Sequence, residues 1–105
     1  MTSLSTHVLD AVTGTPAAGV ALCLSAADGS RLVEAVTDAD GRARLAEDLP
    51  RGTYRLSFAT GEWCATAGWK TFYPEVVVAF TADGEPHLHV PLLLSPFAYS
   101  TYRGS

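Results

Sequence analysis

The 105-residue chain has little charge, few cysteines and no long apolar run. Only 17% of its residues are charged, and its seven Lys and Arg are scattered rather than clustered. With a formal net charge of −4, it lacks the basic stripe that a nucleic-acid partner would require. Two cysteines, Cys23 and Cys64, are fewer than the several bridges a small secreted domain often needs. They read as small buried hydrophobes in a reducing compartment. No apolar stretch approaches the ~20 residues of a membrane-spanning helix, and no charged-then-apolar leader opens the chain. Repeats, linkers and low-complexity segments are missing too. These absences point to one cytoplasmic domain over residues 1–105, without a membrane or nucleic-acid partner.

What the chain does have is apolar surface, with 48% of its residues hydrophobic. A domain of this size buries about 60–70% of its unfolded surface. The apolar content therefore suggests a further face buried in an oligomer. Short alternating runs separated by turn residues read as strands. They lie over Leu4–Asp10, Val20–Ser25, Leu32–Thr37 and Arg42–Leu45. A fifth is centred on Tyr54, Leu56 and Phe58, and a sixth starts at Val76-Val77-Val78. The seventh and eighth cover His87–Leu94 and Tyr99–Arg103. Turns are signalled at Asp28-Gly29, Asp38-Ala39-Asp40-Gly41 and Asp83-Gly84. One short helix is expected over Glu62–Lys70. About eight short strands at this spacing, with one short helix, predict an all-β protein folded as a two-sheet sandwich.

Side chains on a strand alternate between its two faces. In the first strand His7 and Leu9 oppose Val8. In the seventh, His87, His89, Pro91 and Leu93 oppose Leu88, Val90 and Leu92. In the last, Ser100, Tyr102 and Gly104 oppose Tyr99, Thr101 and Arg103, and Tyr99 and Thr101 are expected in the core. The apolar sets belong inside, so His7, His89 and Tyr102 face outward beside other apolar residues. Such a face fits the wall of a channel between subunits better than open solvent.

From the residues alone, several roles remain open. His87 and His89 have metal-ligand spacing, and His7 could supply a third imidazole to zinc. Chance surface histidines are the plainer alternative. Arg42 is either a solvated turn residue or a functional cation, and Arg44 shares its strand face. Tyr102 could simply pack. Ser95 and Ser100 have no Gly-x-Ser-x-Gly elbow to make either a nucleophile.

Longer stretches are more specific. Thr13-Gly14-Thr15-Pro16, Thr37-Asp38-Ala39-Asp40-Gly41-Arg42 and Gly52-Thr53-Tyr54-Arg55-Leu56 resemble many transthyretin-like, or prealbumin-like, sandwiches. The segments Ser5-Thr6-His7-Val8-Leu9-Asp10, Thr71-Phe72-Tyr73-Pro74-Glu75-Val76 and His87-Leu88-His89-Val90-Pro91-Leu92-Leu93-Leu94-Ser95-Pro96 narrow this further. With Tyr99-Ser100-Thr101-Tyr102-Arg103-Gly104-Ser105, they resemble the 5-hydroxyisourate hydrolase branch of the transthyretin-related proteins. The tetrapeptide Tyr-Arg-Gly-Ser marks the hydrolases off from transthyretin, the hormone carrier of the same fold. Phe97-Ala98 is a local variation.

The resemblance covers essentially the whole chain, and it carries several implications. The fold would be a transthyretin-like sandwich, and the assembly a homotetramer, a dimer of dimers. The first, seventh and eighth strands would line a central channel with a site at each mouth. The activity would be hydrolysis of 5-hydroxyisourate, a small-molecule substrate of urate breakdown, to 2-oxo-4-hydroxy-4-carboxy-5-ureidoimidazoline. No metal or cofactor is implied. His7, Arg42 and His89 would be catalytic. Substrate would be held by His7, Arg42, Tyr102, Gly104 and Ser105. His87 would be a bystander, and Arg42 is chosen over Arg44 because it follows Gly41. The alternative is a non-catalytic carrier of a small ligand in the same fold.

Overall fold

A computed structural model describes residues 2–104. Its strands are β1 (Ser3–Asp10), β2 (Thr15–Pro16), β3 (Ala21–Ala26), β4 (Arg31–Val36) and β5 (Arg42–Ala46). They continue with β6 (Gly52–Phe58), β7 (Val76–Ala82), β8 (His87–Ser95) and β9 (Ala98–Thr101). One helix, α1, spans Thr60–Thr66. The strands form two sheets. One runs β2-β1-β8-β9, with β5 also paired to β1, and the other runs β4-β3-β6-β7. This is the two-sheet sandwich with one short helix that the sequence predicts.

Alternation sets the layers. In β1, Leu4, Thr6 and Val8 are buried while Ser3, Ser5, His7 and Leu9 are only partly covered. β8 supplies Leu88, Val90, Leu92 and Leu94 to the core. Leu22, Leu24, Leu56, Phe58 and Val76 complete it from the other sheet. Removing such apolar area from water contributes about 25 cal/mol per Å². The one polar residue of the β1 core face near the centre, Thr6, donates its hydroxyl to the Val90 carbonyl at 2.6 Å.

Two features place the site. β1 pairs in parallel with β8, residue 3 beside 87 through residue 10 beside 94. On its other edge β1 pairs antiparallel with β5, so Arg42 sits opposite His7 and Arg44 opposite Ser5. The turn before β5 depends on Gly41, whose φ is +74°. A Cβ there would meet the Val8 carbonyl oxygen at 2.5 Å. Only glycine lets the chain come this close while keeping its own carbonyl 2.7 Å from the Val8 amide.

The structure corrects some local expectations. The helix is Thr60–Thr66 rather than Glu62–Lys70. It starts earlier because the buried Thr60 donates its hydroxyl to the Tyr73 carbonyl at 2.7 Å. It stops earlier because Gly68 takes a left-handed φ of +82°. A two-residue strand, Thr15–Pro16, which no alternating run in the sequence marks, pairs with the end of β1. The last strand closes at Thr101, not Arg103. Tyr99 is 40% exposed rather than core, and it meets Tyr73 edge-on at 5.0 Å. Thr101 is likewise exposed, with its hydroxyl donating to the Pro91 carbonyl at 2.8 Å. An edge strand has a second sheet on only part of its inner face, so alternation overstates its burial. Both cysteines are free thiols; Cys64 is fully buried and Cys23 half-buried. No described helix is long and apolar enough to cross a membrane.

Candidate functional site

The outward face of β1 and β8 carries the three histidines. Parallel pairing sets Ser3 beside His87, Ser5 beside His89 and His7 beside Pro91. His89 is half-buried, and its Nδ1 lies 2.8 Å from Ser5 Oγ. His87 is exposed; its Nε2 lies 3.1 Å from the same hydroxyl and its Nδ1 2.5 Å from Ser3 Oγ. The two imidazoles stack 6.4 Å apart, as residues two positions apart on one strand face should.

His89 is held below the ordinary histidine value of 6.5. Burial is the main cause, followed by the electrostatic influence of the neighbouring His7, His87 and Arg42. A neutral imidazole near pH 7 can accept a proton.

The structure brings His7, Arg42, His89 and Gly104 to one end of this face. Arg42 is exposed at the head of β5, and among the described residues it makes no ion pair. Arg44, its neighbour on the same face, is taken up by Glu47 at 2.8 Å. Past β9 the chain turns back onto β8: the Gly104 amide donates to the His89 carbonyl at 2.8 Å. A Cβ on Gly104 would stand 2.6 Å from His89 Cδ2, so the tail backbone lies directly against the ring. Arg103 reaches Glu85 at 3.9 Å. Tyr102 is 60% exposed and, with His89, Arg103, Glu85, Phe80 and Leu88, lines a cavity of about 340 Å³. Ser105 lies outside the described residues. A larger hollow of about 730 Å³ lies over the other sheet, lined by Cys23, Arg31 and Glu34 among others and without a histidine.

Among the described residues, no three His, Cys, Asp or Glu side chains converge as metal ligands. Ser5 is the residue that sequence reasoning missed. The signal was present, because Ser5 stands two positions before His7 on the same strand face. Its contact with His89 depends on a parallel pairing across more than 80 residues, which periodicity does not disclose. The arrangement combines a half-buried imidazole of lowered pKa, a guanidinium with no ion pair among the described residues, a second imidazole and a close-packed backbone tail. Such a set can take a proton from water and hold a negative oxygen.

Known proteins resemble this chain in both sequence and fold. A model of the HIUase/Transthyretin family matches residues 4–104. A 5-hydroxyisourate hydrolase of Caulobacter vibrioides is 49% identical over 115 aligned residues, covering 100% of each chain. The structure of Klebsiella pneumoniae 5-hydroxyisourate hydrolase superposes with a TM-score of 0.91 at 45% identity, covering 100% of this chain and 94% of that one. Sea bream transthyretin in complex with thyroxine superposes with a TM-score of 0.90 at 39% identity, covering 96% and 93%.

Proposed function

The chain belongs to the HIUase/Transthyretin family, and from that premise we propose that it is a hydrolase acting on 5-hydroxyisourate. The product is 2-oxo-4-hydroxy-4-carboxy-5-ureidoimidazoline. The observation that carries the proposal is His89. It is kept neutral, tethered through Nδ1 by Ser5, and covered on its ring by Gly104. Those are the features of a positioned base rather than a surface imidazole.

Opening a cyclic amide needs a base for water, positive charge for the developing oxyanion, and orientation. His89 and His7 are the available bases, and a positioned base contributes roughly 10²–10⁴-fold. Arg42 presents a planar fork of donors to the carbonyl oxygens and stabilises the charge that grows on them, by about 3–4 kcal/mol for one such donor. Tyr102 hydrogen-bonds the substrate edge from the cavity wall. Gly104 admits the substrate and the tail to the same space. Ser105 completes the binding set. The proposed reaction uses no resident metal.

Residues 1–105 act as one domain, in the cytoplasm, within a homotetramer. The exposed Phe97, Tyr99 and Val12, together with the half-covered Leu93 and Leu9, give the β1–β8–β9 sheet apolar surface for subunit contact. A second reading, a small-ligand carrier, is favoured by the equally close superposition on a transthyretin in complex with thyroxine. One experiment separates the two. 5-Hydroxyisourate is made in situ from urate with urate oxidase, and its ultraviolet decay is followed with and without the protein. Faster decay in proportion to protein supports the hydrolase. An unchanged rate, with thyroxine bound, supports the carrier.

A further inference from the structure

The hydroxyl of Ser5 sits between two imidazoles, 2.8 Å from His89 Nδ1 and 3.1 Å from His87 Nε2. His87 Nδ1 continues to Ser3 Oγ at 2.5 Å, and Ser3 Oγ donates to the Pro86 carbonyl at 3.4 Å. Four side chains thus form one unbroken row along the β1–β8 seam. It runs from His89 at the half-buried end to His87, which is exposed.

A hydroxyl has one proton to donate, so the row has a direction. A carbonyl can only accept, and the Pro86 carbonyl therefore favours the outward polarity. His89 Nδ1–H donates to Ser5, Ser5 to His87 Nε2, His87 Nδ1–H to Ser3, and Ser3 to the carbonyl. This polarity leaves the lone pair of His89 on Nε2. The reverse polarity would put a proton there and leave the ring unable to act as a base.

We infer that Ser3, His87, Ser5 and His89 form a proton relay from the site to solvent, in which Ser5 is a positioning residue and His87 is the exit. The inference rests on the hydrolase reading. In that reaction the water oxygen bonds to the carbonyl carbon and the ring C–N bond breaks. One water proton goes to the departing nitrogen. The other is released, because the product is a carboxylate at neutral pH. His89 receives that second proton at Nε2 and passes its Nδ1 proton to Ser5. Ser5 passes its own to His87 Nε2, and His87 releases its Nδ1 proton through Ser3 to water. When the product leaves, exchange with solvent at the two ends restores the starting polarity.

The test combines kinetics with a measurement that needs no substrate. His87→Ala should lower kcat about 10-fold, less than the loss of the base itself. It should leave KM within about twofold. Added imidazole, a diffusible substitute for the missing ring, should restore the rate. Ser5→Ala should lower kcat about 10²-fold without rescue, and Ser5→Thr, which keeps a hydroxyl, should recover most of it. Nitrogen-15 NMR of the imidazoles should show His89 as the Nδ1–H tautomer in the unaltered protein and as Nε2–H in Ser5→Ala. An Nε2–H tautomer in the unaltered protein would overturn the relay even if hydrolysis is fast. So would a His87→Ala variant with undiminished kcat, or with a loss that imidazole does not relieve, which would make His87 a mere strut. If the unaltered protein does not hydrolyse 5-hydroxyisourate, the proposed function itself fails and the relay has no proton to carry.

Discussion

Replacing Gly104 with alanine adds a single methyl group where the tail meets His89. Its Cβ would stand 2.6 Å from Cδ2 and 3.2 Å from both Cβ and Cγ of His89. Carbon atoms pack best at about 3.5–4.0 Å, so the overlap is roughly 1 Å. The ring can turn away, or the tail can lift. Turning breaks the His89–Ser5 bond of 2.8 Å, and lifting breaks the 2.8 Å bond from the Gly104 amide. Either loss costs about 1 kcal/mol of stability, a melting shift of about 4–8 °C at most for a domain of this size. Neither group belongs to the core between the sheets. Displacing a base by about 1 Å, by contrast, can cost about 10²-fold in rate, equivalent to about 2.7 kcal/mol of transition-state stabilisation. Gly104→Ala should therefore be folded, slightly less stable, and about 10²-fold slower in kcat/KM on 5-hydroxyisourate. Thermal melting beside turnover reads both quantities. A variant with turnover within about twofold of the unaltered protein would refute the claim that tail and imidazole form one site.

Three further expectations follow from the same geometry. Arg42→Ala should lower turnover about 10²-fold, the scale of a lost oxyanion donor, while Arg44→Ala, which only releases Glu47, should change it little; the opposite result would mean that the wrong arginine of β5 has been assigned. Because His89 titrates below 6.5 in the fold, the acid limb of kcat/KM should lie below pH 6.5. The sign for stability is the same: just below pH 6.5 the unfolded chain binds the proton that the fold refuses, so stability falls as pH drops toward the folded value, and His89→Gln should remove that step from melting curves. Exhaustive chelation should leave activity intact, whereas stoichiometric zinc whose removal abolishes turnover would favour a His7, His87 and His89 metal site instead.

The sequence discloses what depends on local alternation. Val8, Leu88, Val90 and Leu92 are buried and His7 and His89 share the opposite face, as period-2 reading requires. Asp38-Ala39-Asp40-Gly41 marks its turn because Gly41 needs a positive φ and has no room for a side chain. What alternation cannot show is which strands are neighbours. The parallel pairing of β1 with β8 creates the Ser5–His89 contact, and nothing within either segment encodes it. That is why His87, which reads as a bystander, turns out to be joined to His89 through a shared hydroxyl. The misplacement of Tyr99 has a similar origin, since β9 is an edge strand whose burial depends on what covers the edge. The helix was shifted because its start depends on a tertiary bond, Thr60 to the Tyr73 carbonyl, rather than on its alanines.

The central claim is that hydrolysis takes place where the residues after β9 meet His89, and removing those residues tests it most directly. A protein ending at Thr101 keeps all of β9 and the bond from the Thr101 hydroxyl to the Pro91 carbonyl. It loses Tyr102, the Arg103–Glu85 pair and the Gly104 backbone that covers the imidazole. Turnover of 5-hydroxyisourate is measured for this protein and the full chain side by side, with circular dichroism on both. The account predicts matching spectra, fast decay with the full chain and only the uncatalysed decay with the shortened one. A folded, shortened protein that still hydrolyses at the full rate would contradict it.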